Sequence, residues 1–436
     1  MRNDILSWNR IPRVSQQRAL LLSDRFSPIP LSAVPETYIP FGNGRSYSDV
    51  CLNPSGAVLL TRGLDHLISF DRTTGQLMCE SGVLLSEILA FIVPQGWFLP
   101  VTPGTQFATV GGCVANDVHG KNHHSAGSFG HHVRSFILRR SDGQELTCSR
   151  TENAEWFAAT IGGLGLTGVI MAVTFDLVPI ANPFMITQAT RFESLSEFWC
   201  LNSRVEQDWP YTVAWIDCTS VKARGILFAG KHAPPRGELP AWKSQKRCFP
   251  IELPFSCVNS LSLRAFNEIY YRQPLPDDSA LTHYIPYFYP LDAIQDWNRL
   301  YGRKGFYQYQ CVLPPDASEA GIASMMQAIT ASGMGSFLAV LKTLGTKPSP
   351  GLLSFSREGA TLALDFPNQG DRTLKLLSRL DRIVLETGGA LYPAKDTRMP
   401  GFMFQKSFPA WEQFRTFVDP RFSSGFWRRA TQPNER

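Results

Sequence analysis

The sequence lacks the features that mark several large protein classes. None of its nine cysteines stands in a CxxC pair or beside histidine at metal-ligand spacing, and their number is odd, so neither a metal centre nor a closed disulfide framework is expected. They read as reduced, mostly buried thiols of a cytoplasmic protein. No apolar run approaches the ~20 residues that span a bilayer, and the opening residues have neither the basic start nor the apolar stretch of a signal peptide. A net charge of +5 over 436 residues, with Lys and Arg scattered among acidic neighbours, gives no basic stripe for nucleic acid but suits anionic small ligands. Repeats and low-complexity tails are also missing. What is present is a chain with 44% hydrophobic residues, long enough to bury the cores of two or three domains.

Periodicity and punctuation divide the chain into three regions. From about 58 to 177, short β-rich runs (57–60, 169–175) alternate with helical segments (85–93, 154–160) through glycine-rich connections. From 306 the pattern reads strand (306–313), helix (318–332), strand (336–342), strand (361–366), helix (372–386) and strand (391–394), the order of split βαβ units in an α+β sheet domain. Leu374, Leu377, Leu380 and Val384 form a core stripe on the second helix, with Asp371 as its cap and Gly388-Gly389 as its stop. Between these regions, residues 231–257 hold repeated prolines and Lys231, Arg236, Lys243, Lys246 and Arg247 against Glu238 and Glu252, an extended, mobile insertion. It is either a flap for an anionic membrane surface or lipid phosphate, or a solvated loop.

Three glycine-rich sites carry the chemistry. In Phe41-Gly42-Asn43-Gly44-Arg45-Ser46-Tyr47-Ser48-Asp49, closely spaced glycines let successive amides form a nest for phosphate oxygens, although such a run is also an ordinary turn. The second site comprises Gly104, then Thr109-Val110-Gly111-Gly112 and Asn116-Asp117-Val118-His119. Its small residues let a large flat ring lie against backbone, as a flavin would. The cradle favours a functional His119, whereas His123 and His124 read as structural. The third, residues 162–168, contains a formal GxGxxG from Gly163. It follows a helix and precedes a strand, the reverse of the order that aims a helix at pyrophosphate, so a nicotinamide site is rejected. On the strand 306–313, Gln308 and Gln310 share one face and can present amides to sugar hydroxyls, or simply face solvent.

Together these segments resemble the flavin domain of the vanillyl-alcohol oxidase and p-cresol methylhydroxylase superfamily. Within it, Gly-Arg-Ser-Tyr (44–47), the run 119–130, Gly-Leu-Thr-Gly (165–168), Trp297-Asn298-Arg299, Gln308-Tyr309-Gln310, Asp365-Phe366-Pro367 and Tyr392-Pro393-Ala394-Lys395-Asp396 resemble the decaprenylphosphoryl-β-D-ribose 2′-oxidase family, over about residues 36–430.

The resemblance implies an α+β fold: a two-part FAD-binding domain (1–183 and 390–436) around an inserted antiparallel-sheet substrate domain flanked by helices (184–389). It implies FAD held by residues 41–49, Gly104, Thr109, Val110, Gly111, Gly112, Asn116, Asp117, Val118, His119, Ile170 and Tyr392. Ser46 stands where covalently flavinylated relatives have histidine, so non-covalent binding is expected, and no metal is. Catalysis is assigned to Lys395, His119 and Tyr47, with Lys395 acting either as a neutral base or as a charged ligand. The substrate residues are Gln308, Gln310, Lys342, Lys395, Phe288, Thr361 and Ala363, the last two and Phe288 replacing an asparagine, a cysteine and a tyrosine found in some members. The implied reaction moves hydride from C2′ of a polyprenylphosphoryl ribose to flavin, giving a 2-keto sugar for a separate NAD(P)H-dependent reductase to carry towards arabinose. The enzyme would be cytoplasmic, or peripheral on the inner membrane face. The alternatives are an FAD-dependent oxidase of a soluble aldonolactone or alditol, and a flavin-binding scaffold without turnover.

Overall fold

A computed structural model describes residues 5–14, 17–32, 36–243 and 247–432. Three principal sheets organise them. A small parallel sheet places Ala57–Leu60 between Arg18–Leu21 and Tyr38–Phe41. An antiparallel sheet of five strands runs Leu67–Asp71, Gln76–Glu80, Val169–Asp176, Val133–Arg139, Glu145–Ser149. Its central strand Val169–Asp176 is buried nearly throughout, which explains its almost unbroken apolar sequence. Helices Leu85–Ile92 and Val110–Ala115 contribute to the same apolar core.

The third sheet is antiparallel with eight strands: Ala280–His283, Phe184–Phe192, Gly225–His232, Tyr211–Ile216, Val340–Leu344, Gly359–Pro367, Phe306–Leu313, Ala390–Leu391. It consists of two strand-helix-strand-strand-helix-strand units with the same spatial order, joined through the second strand of each. The split βαβ pattern read from residue 306 onward is the second unit. The first repeats it from 184 to 283 without a repeat visible in sequence. In the second unit helices Pro315–Ser332 and Asp371–Glu386 pack together and against the sheet, closing the largest core.

Several boundaries differ from the sequence reading. The strand expected at 336–342 is Val340–Leu344, and 391–394 gives a two-residue strand Ala390–Leu391 followed by a 3-10 turn Pro393–Lys395. Asp371 is the first residue of its helix, after Gly370 at positive φ, and donates no cap; Leu376 replaces Leu374 in the buried stripe. The row Leu376, Leu380, Val384 falls at four-residue spacing and faces the sheet, which rotates Leu374 to the margin. Among the described residues of the insertion 231–257, regular structure is confined to two short strand segments. His232 ends a strand, and Arg247–Cys248 pairs with Ile294–Gln295; Lys246 lies outside the described residues. Of the nine cysteines, five are buried, Cys51 and Cys257 are half-buried, and Cys200 and Cys248 are exposed. No helix among the described residues is long and apolar enough to cross a membrane.

Candidate active site

One cavity of about 1140 Å³ gathers most of the sequence-predicted residues. It exceeds the roughly 300–1,000 Å³ of ordinary small-molecule sites, and its walls come from all three sheets.

The first glycine loop leaves the strand Tyr38–Phe41 and runs along the wall from Gly42 to Tyr47. Gly44 has φ of +62°, and a Cβ there would lie 2.9 Å from the Leu6 carbonyl oxygen, so only glycine fits. The N-terminal segment pins the loop: Trp8 N–H donates to the Ser46 carbonyl at 2.8 Å, and the Arg45 guanidinium lies 4.1 Å over the Trp8 ring. Asn43 donates to the Phe107 carbonyl at 2.8 Å, tying the first loop to the second.

In the second loop, Gly104 has open space where a Cβ would stand, whereas a Cβ on Gly111 would meet Ser81 Cβ at 2.8 Å. Thr109 caps the helix Val110–Ala115 by accepting from Gly112 N–H at 3.2 Å. Asn116, Val118, His119, Ile170 and Tyr392 also line the cavity, as do Gly165 and Gly168 of the third motif. The helix Ala154–Thr160 and the strand after it confirm the order that excluded a nicotinamide fingerprint.

Five residues expected at the cofactor turn their side chains elsewhere. Phe41 and Val110 pack into apolar cores. Ser48 caps the turn Asp49–Cys51 by accepting from Val50 N–H, and Asp49 receives two hydrogen bonds from Arg429, at 2.6 and 2.9 Å. Asp117 accepts from Gly130 N–H at 2.9 Å and Ser354 Oγ at 2.6 Å. A run of adjacent motif residues cannot all face one ligand, because successive side chains diverge. His123 and His124 do not line the cavity: His123 Nδ1 accepts from Gly345 N–H at 3.1 Å, and His124 lies 3.6 Å from Glu206.

The polar centre is built by strand register. Gln308 pairs with Asp365 and Gln310 with Ala363 across the sheet, while Lys342 stands opposite Thr361. Gln308 donates to Asp365 at 2.7 Å, and the Gln310 amide lies 3.2 Å from Thr361 Oγ1 and 3.1 Å from His119 Nε2. Tyr392 N–H donates to the Gln310 carbonyl at 2.9 Å and Tyr47 N–H to the Ala394 carbonyl at 2.8 Å. These two bonds carry Lys395 to the first loop, where its Nζ sits 3.7 Å over the Tyr47 ring. Lys342 Nζ donates to the Gly120 carbonyl and Lys121 Nζ to that of Phe288, both at 3.0 Å.

Burial controls the electrostatics here. It lowers Lys121 to about 8, and with the charges of Lys121 and Lys395 it lowers Lys342 to about 7. Burial also lowers Lys395, while Asp365 pulls the other way, and it raises Asp365 against the opposing influence of Gln308 and Lys395. His119 is held neutral by burial and by Lys342, His123 and Lys395. Burial, then the charge of Asp365, keeps the Tyr47 phenol protonated. The wall carries Arg45, Lys121, Lys342 and Lys395 against Asp292, Asp296 and Asp365, a cationic excess that favours an anionic guest, whose charge would draw the ammonium forms back.

Beyond the polar centre the cavity continues between apolar side chains: Val213, Trp215, Phe228, Phe266, Phe288 and Phe337. Sequence reasoning assigned no site role to Lys121, Asp365, Trp8 or, apart from Phe288, to this arm. Asp365 was legible, since Thr361, Ala363 and Asp365 alternate onto one strand face; Trp8 was not, because nothing local links it to the loop at 42–47. The cavity fits FAD: glycine backbone lines it, Gly104 leaves room at the wall, and the buried Asn116 Oδ1 and His119 Nδ1 have no partner among the described residues.

Residues 34–149 match the family described as the FAD binding domain. The chain is 35% identical over 408 residues to decaprenylphosphoryl-β-D-ribose oxidase of Mycolicibacterium smegmatis, covering 89% of this chain and 88% of that protein. It is 29% identical to an uncharacterized protein of Streptomyces coelicolor, over 80% of this chain and 99% of that one. Similarity to the L-gulonolactone oxidase of Mus musculus, 30% identical, covers only 32% of this chain and 31% of that protein.

Proposed function

The chain belongs to the family of decaprenylphosphoryl-β-D-ribose oxidase, with an FAD-binding domain, and from that premise we propose that it oxidises the 2′-hydroxyl of a polyprenylphosphoryl-β-D-ribose to the 2-keto sugar. The observation that carries the reading is the continuity of one cavity, from glycine loops through Gln308, Gln310, Lys342 and Lys395 to an apolar arm. A lactone or alditol needs no such arm, and the partial likeness to lactone oxidases leaves most of the chain unaccounted for.

Bound FAD supplies the hydride acceptor, a chemistry that no side chain offers. The chain's own residues orient the sugar and manage its proton. Gln308 and Gln310 present amides to the ribose hydroxyls, each braced by a neighbour: Gln308 by Asp365, Gln310 by neutral His119 and Thr361. Lys395, its amine made available by burial, accepts the hydroxyl proton, and the resulting ammonium is held over the Tyr47 ring with Asp365 nearby. Lys342 and Lys121 favour the phosphoryl charge. Phe288 and the apolar arm exclude water and receive the prenyl chain.

FAD is bound non-covalently in this reading. Ser46 is no covalent attachment point of the histidine kind, and the Cys51 thiol, on the cavity wall, is pushed up to about 12 by burial and Asp49, which makes it a poor nucleophile. The domain division is 1–183 and 390–436 for FAD and 184–389 for substrate, except that Ala390–Leu391 pairs as the last strand of the substrate sheet. Its support is the Arg429–Asp49 ion pair and the Tyr38 N–H to Arg421 carbonyl bond of 2.7 Å, which return the C-terminal segment to the N-terminal half. A separate NAD(P)H-dependent reductase would consume the keto sugar.

The test is anaerobic flavin absorbance after addition of a short-chain prenylphosphoryl ribose, an aldonolactone or an alditol. Bleaching by the phosphoryl ribose is expected; bleaching by a soluble sugar alone would overturn the substrate and keep the flavoenzyme.

A further inference from the structure

The two βαββαβ units share one strand order, yet they turn different chemistry towards the cavity. In the second unit the first strand presents Gln308 and Gln310, the second Lys342, and the third Thr361 and Asp365. In the first unit the corresponding strands present Thr187 and Ala189, then Val213 and Trp215, then Phe228. The polar groups among these are already engaged: Thr187 Oγ1 lies 2.8 Å from Thr282 Oγ1, and Trp215 Nε1 donates to the Phe337 carbonyl at 2.9 Å. Val340 of the second unit stands opposite Trp215 at the seam. One unit is thus the floor of the polar centre, and the other is the floor of the apolar arm.

Strand register lines up the apolar residues. Val213, Phe228 and Ala189 stand directly opposite one another on three adjacent strands, so their side chains form one row across the sheet. The row starts beside the strand Val340–Leu344, which carries Lys342. Aromatic side chains stand on both flanks. On one, Tyr270 packs on Trp215 and Phe266 on Phe337, at ring separations of 4.8 and 4.9 Å. On the other, Tyr287 lies on the backbone of Gly230, where a Cβ would come within 2.4 Å of its ring, and Tyr287 Oη donates to the Tyr211 carbonyl at 3.0 Å. A ligand leaving the polar centre is therefore led along the row, across the strands.

From the strand of Lys342 to that of Ala189 is three strand spacings, about 14 Å. Beyond Ala189 the cavity wall is made by Gln188, Pro274 and Pro276, all exposed, so the row ends at the surface. Ala189 stands last in the row and has its smallest side chain. Alanine leaves the end of the passage open, whereas a bulky residue would fill it.

We propose that the duplicated sheet divides the substrate between its halves: the second unit reads the phosphoryl sugar, the first carries the prenyl chain over Val213, Phe228 and Ala189, and Ala189 is the residue that sets chain-length preference. Continuity selects the occupant, since a tail lying in this row is joined to an anion beside Lys342. This path rests on the prenyl-linked substrate proposed above, and gives it a length preference that the polar centre cannot supply.

The experiment measures binding of dimethylallyl, geranyl and farnesyl phosphate to holoenzyme by titration calorimetry, below their aggregation concentrations, alongside anaerobic bleaching by the matching prenylphosphoryl riboses. The phosphates carry no ribose, so they report the path independently of turnover. Each buried methylene is worth roughly fourfold in affinity, and wild type should bind farnesyl phosphate at least about a hundredfold more tightly than dimethylallyl phosphate. Ala189→Trp, an aromatic that a strand accepts, should cut that ratio to below about tenfold. Phe228→Ser, which makes the floor polar without filling the row, should lower it in the same direction. Retained binding of dimethylallyl phosphate shows that a variant is folded with its polar centre intact. A wild type without length dependence overturns the proposal, as does an Ala189→Trp variant that keeps the wild-type ratio. Should that variant fail to fold, an unchanged ratio in Phe228→Ser overturns it equally. Length dependence as expected, with no phosphoryl ribose bleaching the flavin, keeps the path and removes the substrate reading. Bleaching at every chain length without length dependence removes the path and keeps that reading.

Discussion

Replacing Lys395 with methionine removes the proposed proton acceptor while keeping most of the side-chain volume. Asp365 is not stranded as a buried charge by this change: Lys395 is one of the influences that lower its pKa, so without it the carboxyl moves further up and takes up a proton. Fold and flavin content should therefore survive. A positioned general base contributes about 10²–10⁴-fold, or about 2.7–5.5 kcal/mol of barrier, and the rate of anaerobic flavin reduction by the phosphoryl ribose should fall by that factor. In wild type the amine must be unprotonated to act, so the rate should rise with pH along one limb, lying below the usual lysine range because burial lowers this pKa. Asp365→Asn removes the charge that holds the pKa up and should move the limb to lower pH. Lys395→Arg separates the two roles of the residue, since guanidinium keeps the charge and cannot accept a proton. Arginine should be as slow as methionine. A methionine variant at the wild-type rate with the limb intact, or an arginine variant that restores the rate, would refute the base assignment.

The His123 ring, lowered to about 3 chiefly by burial, takes its proton in the unfolded chain first, so its contribution is complete above about pH 6.5 and shrinks as pH falls towards 3. Between about pH 7 and pH 5, wild type should lose roughly 2 kcal/mol more unfolding free energy than His123→Asn, measured by denaturant titration; equal losses would contradict a buried neutral ring. Gly42→Ala sets a Cβ 2.5 Å from Thr109 Oγ1, which caps the neighbouring helix, and should cost about 1–3 kcal/mol and weaken flavin retention, read by thermal denaturation and flavin fluorescence. Native protein should expose two fast thiols to a disulfide reagent, Cys200 and Cys248, with the five buried cysteines reacting only after denaturation. Acid precipitation should leave all flavin in the supernatant, and yellow colour in the pellet would overturn non-covalent binding.

Much of the site was legible because its chemistry depends on short-range sequence. The glycine loops at 42–47 and 104–112 and the paired glutamines on one strand face are local patterns, whose backbone geometry restricts what they can do, whereas Lys395 was legible only through the family resemblance. The helix-before-strand setting of Gly163–Gly168 excluded a nicotinamide fingerprint in the same way. Which members of each run face the cavity was not legible. Asp49 and Asp117 look like ligand residues in a motif, yet each is consumed by a distant partner, Arg429 or Ser354. Similarly, the stripe of Asp371–Glu386 shifted from Leu374 to Leu376 because the sheet, and not the helix, decides which row is covered.

By itself, then, the sequence determined the flavin-type glycine framework and the identity of the polar groups, since these follow from the backbone freedom and chemistry of neighbouring residues. Tertiary structure decided three things. It brought Trp8 and Lys395 onto the first loop, it set Asp365 beside Gln308, and it doubled the βαββαβ unit so that both copies line one cavity. Each of these joins residues far apart in the chain, or depends on which surface another element covers, and no local propensity encodes either.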